Sequence, residues 1–157
     1  MKLNKEDYTA RVANASPLQL TIINFELIIA YIEESAEAEK YNDIGAFLNN
    51  MSGAKDFLKL LMTSLDMKYD LSKELMRIYI YINGLLIKSE YSKSAKQAVV
   101  AADMLKLLLE SFKSISETEQ SETAVMQNAQ QVYAGLTYKD GKLSEYIEED
   151  LNRGFKA

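Results

Sequence analysis

The chain has 157 residues, a net charge of −5 and neither cysteine nor histidine. These absences exclude disulfides, thiolate metal sites, histidine-based catalytic triads and the carboxylate and histidine iron sites of many helical bundles. Basic residues are scattered among acidic ones, so no basic surface for nucleic acid or anionic lipid is expected. We therefore expect no metal site. Because no nucleophile, base and orienting group cluster in the sequence, we also expect a protein that is not an enzyme.

The single proline and six glycines suit long helices and argue against a turn-rich β fold. We predict an all-α chain: an antiparallel four-helix bundle with a short N-terminal helix and an extra C-terminal helix or tail. The N-terminus lacks the apolar segment of a signal peptide, and the most apolar run, residues 20–32, is too short and polar to span a bilayer. We expect a cytoplasmic protein without membrane insertion.

The N-terminal residues 4–14 predict one or two turns of helix, with Tyr8 and Val12 on one side. So short a helix is marginal alone and should dock on the bundle. The first long helix is predicted to run from Pro17 to about Lys40. Ser16 can act as its N-cap, and Gln19 can complete a capping box.

This first long helix carries two apolar stripes on opposite faces, at a step of about 100° per residue. One stripe consists of Leu18, Ile22, Phe25, Ile29 and Ile32, and the other of Leu20, Ile23, Leu27 and Tyr31. Either both faces are buried within one bundle, as in a central helix, or the second face meets a partner.

The helix predicted after Asp70 repeats this two-sided pattern. Tyr79 and Tyr81 are predicted to flank its two stripes, and Gly84 would permit a close approach by a neighbouring helix. The inward ladder is Leu71, Leu75, Ile78, Ile82 and Leu85, and the far side carries Met76, Ile80 and Ile87.

The other two long helices each show one apolar face. The helix between these two-sided helices presents Ile44, Phe47, Met51, Ala54, Leu58, Leu61, Met62 and Leu65. The last, predicted over residues 94–115, presents Ala95, Ala98, Val99, Ala102, Leu105, Leu109 and Phe112.

The composition changes after residue 115. Residues 116–122 predict a polar linker, and residues 123–134 a separate amphipathic helix ended by Gly135. We expect a bundle domain over residues 1–118 and a C-terminal extension over residues 119–157. The extension could be disordered, docked on the bundle, or lodged in a groove of it.

Several short segments occur in an order that is similar to that of one protein family. They are Tyr8 with Val12, Ala15-Ser16-Pro17, Ile23-Asn24-Phe25-Glu26, Ser64-Leu65-Asp66, and Ile78-Tyr79-Ile80-Tyr81-Ile82. Together they resemble the flagellar secretion chaperone family that handles flagellin, FliS, over roughly residues 8–115. The chain departs from the family's pattern at Asn14, Asn24, Phe25 and Leu27.

The resemblance implies a helical bundle that needs no cofactor, binds the C-terminal segment of flagellin outside its core, prevents premature polymerisation and delivers the subunit for secretion. The flagellar export gate and other flagellar regulators are further candidate partners. Tyr8 and Val12 are interpreted as packing residues, with an N-terminal gate over the empty groove as the alternative. A second hypothesis is a helical adaptor that homodimerises through the same faces. The predicted partner-binding residues are Leu20, Ile23, Leu27, Tyr31, Met76, Ile80 and Ile87.

Overall fold

The computed structural model describes residues 5–132, and the surroundings of side chains for residues 6–119. Within residues 5–132 the chain is helical and contains no strand, so the all-α prediction is confirmed for this part. The helices are α1 (Lys5–Ala13), α2 (Pro17–Lys40), α3 (Ile44–Thr63), α4 (Asp70–Ser92) and α5 (Lys96–Val132). No described helix combines the length and apolarity that a membrane span needs.

The start of α2 is set by a reciprocal capping box, as the sequence predicted. The backbone N–H of Gln19 donates to Ser16 Oγ at 3.2 Å, and the N–H of Ser16 donates to Gln19 Oε1 at 2.9 Å. Two N–H groups near the helix start are thereby satisfied. At the other end Asn42 adopts a left-handed φ of 55°, and Asp43 Oδ1 caps α3 by accepting the N–H of Ala46 at 3.0 Å.

Helix α2 occupies the centre of the packing. It contacts α1, α3 and α5, whereas α4 packs against α3 and α5. Phe25 links three helices, because its ring centroid lies 5.1 Å from Phe112 and 6.3 Å from Tyr79. The α2 stripe that begins at Leu18 faces the core as predicted: Leu18 is half-buried and its other members are buried. Ile28 and Ala30 beside it are buried as well. Helix α2 is therefore buried over much more than one stripe.

Two polar contacts, one buried and one partly buried, fix the start of α5 against its neighbours. The N–H of Ala98 donates to Ser89 Oγ at 2.7 Å, and the N–H of Ala95 donates to a Glu39 carboxylate oxygen at 2.8 Å. These acceptors replace the partners that the first backbone N–H groups of a helix lack. Helices α2 and α4 thus both hold the N-terminal end of α5.

Three predicted orientations away from the predicted binding face were wrong. Tyr79, expected at the flank of α4, is only 1% exposed, because α4 packs against both α3 and α5 and so buries a wide arc. Ile44 and Val99, expected in the core, are exposed. Both lie in the first turn of their helices, at the rim of the packing.

The predicted break after residue 115 was also wrong. Helix α5 continues through residues 116–122 and into the segment predicted as a separate helix, up to Val132. Residues 116–122 contain neither glycine nor proline, and Glu and Gln are good helix formers, so a polar composition alone does not end the helix. The boundary expected at residues 118 and 119 lies inside α5. Residues 133–157, including the predicted helix end at Ala134, lie outside the described part.

Candidate partner-binding surface

The outward face of α4 carries an apolar stripe with helical spacing. It is formed by Met76, Ile80, Gly84, Ile87 and Tyr91, which recur every three or four residues, and we call it the α4 stripe. Ile80 is 58% exposed and Ile87 49%, while Met76 is half-buried. The opposite side of the helix supplies the core residues Leu75, Ile82 and Leu85. Of the predicted binding residues, the three on α4 therefore lie on one accessible face.

Gly84 lies in the middle of the α4 stripe and is not packed. A Cβ atom added there would meet nothing within 4 Å. The close helix approach predicted for Gly84 is therefore not made by a neighbouring helix among the described residues. The space over the backbone at this position is open.

A groove adjoins the C-terminal end of the α4 stripe, between α3 and α4. Its volume is about 770 Å³, and its lining residues are Leu48, Ile87, Glu90, Tyr91 and Lys93. The carboxylate of Glu90 is paired with Lys55 of α3 at 2.7 Å. The groove is thus apolar along Leu48, Ile87 and Tyr91, with Lys93 as a positive charge at its end.

Sequence reasoning missed Leu48 and Tyr91. Tyr91 follows Ile87 by four residues and is 88% exposed, so extending the outward stripe by one helical turn would have found it. Leu48 belongs to α3, and only the packing of α3 beside α4 brings it to the same groove.

The predicted binding face of α2 is divided by the packing. Leu20 is exposed at 36% and Leu27 is half-buried, but Ile23 is 2% exposed. The outward assignment of Ile23 was wrong, because α1 and α5 flank α2 at this level and Ile23 faces the space between them. For this residue the alternative of burial within one bundle holds.

Tyr31 joins α2 to α3. Its ring stacks on Phe57, with centroids 5.8 Å apart and planes at 23°. A Cβ at Gly53 would lie only 2.7 Å from Tyr31 Cε1, so the absence of a side chain at Gly53 lets the ring rest on α3. Tyr31 is half-buried, and its main contacts are inside the chain.

The N-terminal helix is held by a charge cluster at Glu26. Arg11 donates to the Glu26 carboxylate at 2.6 Å, and Lys113 of α5 lies 3.6 Å from its second oxygen. The hydrogen bond to Glu26 raises the pKa of Arg11. Tyr8 is half-buried, and burial followed by the negative charge of Glu26 raises its phenol pKa. Val12 is exposed.

A second cavity of about 370 Å³ lies beside this charge cluster, where α1, α2 and α5 meet. The Glu26 carboxylate at its wall accepts a hydrogen bond from Arg11 of α1 and forms an ion pair with Lys113 of α5, so it ties both helices to α2. The lining residues are Arg11, Asn14, Gln19, Ile22, Ile23, Glu26, Lys113 and Ser116. This cavity is mixed in character and smaller than the groove beside the α4 stripe.

Within the described part, no three acidic side chains gather into a group that could hold a metal ion.

Comparisons with known proteins place the chain in a family. A search of curated proteins finds no match. The family described as Flagellar protein FliS matches residues 2–119, which is more than half of the chain and includes the whole α4 stripe. The chain belongs to the FliS family of flagellar chaperones.

Proposed function

We propose that this chain is a cytoplasmic export chaperone that holds the C-terminal segment of flagellin on the α4 stripe and the adjoining groove. The FliS family is a family of flagellar export chaperones that bind flagellin. The four long helices would form the antiparallel bundle, with residues 1–118 as the chaperone domain. Held in this way, the segment is unable to polymerise before export. The observation that carries the proposal is the exposure of Ile80 and Ile87 on one helical face of a chain from this family.

The dimensions of the α4 stripe suit a helical client. From Met76 to Tyr91 the stripe is about 22 Å long, at about 1.5 Å per residue, and a client helix of about four turns would cover it. A helix bound in an apolar groove presents its own apolar residues at the same spacing of three and four. A client that folds on binding loses about 2–5 kcal/mol to ordering, so the complex can be specific and still release its subunit.

Helix α2 adds Leu20 and Leu27 to the proposed binding surface, because both remain accessible. Ile23 does not belong to this surface, because its side chain is buried. Tyr31 is half-buried and packs between α2 and α3. The α4 stripe is therefore the main contact, and Leu20 with Leu27 forms a second contact for a client that wraps around the bundle.

The double replacement of Ile80 and Ile87 by aspartate tests the proposal. Each of the two side chains is about half exposed, so their burial by the client contributes about 1.5–3 kcal/mol in all. The double variant loses this contribution and its new carboxylates add a desolvation penalty, so affinity should fall at least about a hundredfold. Binding of a flagellin C-terminal peptide is measured by titration calorimetry. Helicity should be unchanged, because both positions are exposed.

Leu107→Asp is the matched control, since Leu107 is 68% exposed and belongs to α5, not to the α4 stripe. This variant should bind the peptide as the wild type does. If the double variant binds the peptide as the wild type does, the α4 stripe is not the binding surface. If the wild type does not bind the peptide, the proposed function is wrong. A mass twice 17.8 kDa for the free chain, lost in the double variant, would instead favour the homodimerising adaptor.

A further inference from the structure

The α4 stripe contains a dent that one side chain can fill. The surface neighbours of Gly84 on the helix are three and four residues away: Ile80, Tyr81, Ile87 and Lys88. All four are exposed. A Cβ at Gly84 would meet nothing within 4 Å, so the helix surface is lower at Gly84 than at these four neighbours, whose side chains surround the position. We call this feature the Gly84 dent.

Nothing within the described chain uses the missing side chain. Glycine is less favourable than alanine inside a helix. A glycine in mid-helix is best explained when another group packs into the space left by its missing side chain. At Gly53 that reason is visible, since the Tyr31 ring occupies the place of the side chain. At Gly84 the corresponding space is vacant. The two glycines of similar helical setting therefore differ in what covers them.

We propose that the Gly84 dent receives one bulky apolar side chain, such as leucine, methionine or phenylalanine, from a helix of the flagellin C-terminal segment. The inference rests on the function proposed above and names the anchor point of that contact. Side chains of packed helices insert in this manner among four residues of the facing helix. Ile80, Tyr81 and Ile87 provide apolar surface around the dent, and Ile87 also lines the groove between α3 and α4. The dent and the groove thus meet at Ile87, and we call the two together the track.

The charges at the rim define the client helix further. Lys88 stands beside the dent and Lys93 lines the adjoining groove, while the carboxylate of Glu90 is already neutralised by Lys55 at 2.7 Å. The C-terminal half of this track is therefore positive. The client helix should carry an acidic residue next to its bulky anchor, because opposite charges at a rim favour the correct orientation.

The substitution Gly84→Leu distinguishes a dent that holds an anchor side chain from a surface that is merely apolar. Leucine enlarges the exposed apolar area, so a merely apolar surface would bind the client as tightly or more tightly. If the dent holds an anchor, the leucine occupies its place, and affinity for a flagellin C-terminal peptide should fall at least about tenfold. Gly84→Ala should weaken binding less. Titration calorimetry of the full chain measures both, and urea unfolding should show no loss of stability, since both residues are better helix formers than glycine.

Ser114→Leu is the control, because it adds the same side chain at an exposed position of α5 and should bind as the wild type does. Unchanged or tighter binding by Gly84→Leu would overturn the dent alone, provided that the Ile80 and Ile87 double variant still loses the peptide. Loss of wild-type binding would overturn the dent and the proposed function together. A dimer of the free chain that Gly84→Leu dissociates, with peptide affinity unchanged, would assign the dent to a second copy and overturn the proposal.

Discussion

Replacing Gly53 by alanine should reveal how tightly α2 is packed on α3. The added Cβ would lie 2.7 Å from Tyr31 Cε1 and 2.9 Å from Cδ1 and Cζ. Carbon atoms in contact prefer separations of about 3.5–4.0 Å, so the ring would have to move by roughly 1 Å. Such a movement also disturbs its stacking on Phe57, which lies one helical turn beyond Gly53.

Two opposing effects set the size of the change. Overpacking of this kind costs about 1–3 kcal/mol, whereas replacing glycine by alanine inside a helix gains about 1 kcal/mol. Gly53→Ala should therefore lower the free energy of unfolding by up to about 2 kcal/mol. In a Tyr31→Ala background the ring is absent and only the helical gain remains. There the same substitution should raise the free energy of unfolding by about 1 kcal/mol.

A double-mutant cycle measures these effects. The wild type, both single variants and the double variant are unfolded in urea, and the loss of helix is followed by circular dichroism. The expected coupling between the two positions is about 1–3 kcal/mol, which is well above the additivity error of such cycles. Gly84→Ala is the control, because its Cβ meets no atom and it should stabilise both backgrounds by about 1 kcal/mol. Equal effects of Gly53→Ala in the two backgrounds would refute the proposed contact.

Three further predictions concern the core and the N-terminal helix. Ser89→Ala removes the acceptor of the buried Ala98 N–H and should lower the free energy of unfolding by about 1–3 kcal/mol in urea; a negligible change would contradict this contact. Burial raises the pKa of Tyr79 above the ordinary value of 10.0, so the unfolded chain loses its phenol proton first and stability should fall only above about pH 10. Tyr79→Phe should flatten that alkaline loss, and an unchanged pH dependence of urea unfolding would exclude this cause. Arg11→Gln breaks the exposed pair with Glu26, which contributes about 0–1 kcal/mol, so amide exchange in α1 should accelerate while protection in α2 is retained; unchanged exchange in α1 would mean that other contacts hold it.

Local chemistry was sufficient for the helix boundaries near the N-terminus. Ser16, Pro17 and Gln19 predicted the start of α2 because a capping box involves only residues within one turn. Repeating apolar residues likewise predicted the buried side of α2 and much of that of α4. The break predicted after residue 115 failed for a local reason too, since polar residues with good helix propensity were interpreted as a linker.

The binding surface was only partly predictable. The spacing of residues along α4 correctly grouped Met76, Ile80 and Ile87 on one face, and the structure leaves that face accessible. The same reasoning grouped Ile23 with Leu20 and Leu27, yet Ile23 is buried. It gave no sign of Leu48, because that residue reaches the groove from another helix.

By itself the sequence determined that the described chain is helical, where α2 begins, and which residues share a face of each helix, because these follow from interactions within a few residues. Only the tertiary structure decided which of those faces are covered. Helix α2 has α1, α3 and α5 as neighbours, so Ile23 on its second face is enclosed. The backbone of α4, in contrast, lies beside α3 and α5 alone among the described helices, its contact with α2 is made by Tyr79 on the core side, and Ile80 stays outside. Periodicity measures the angle between side chains on one helix, but the number and position of neighbouring helices determine whether water or protein lies at that angle.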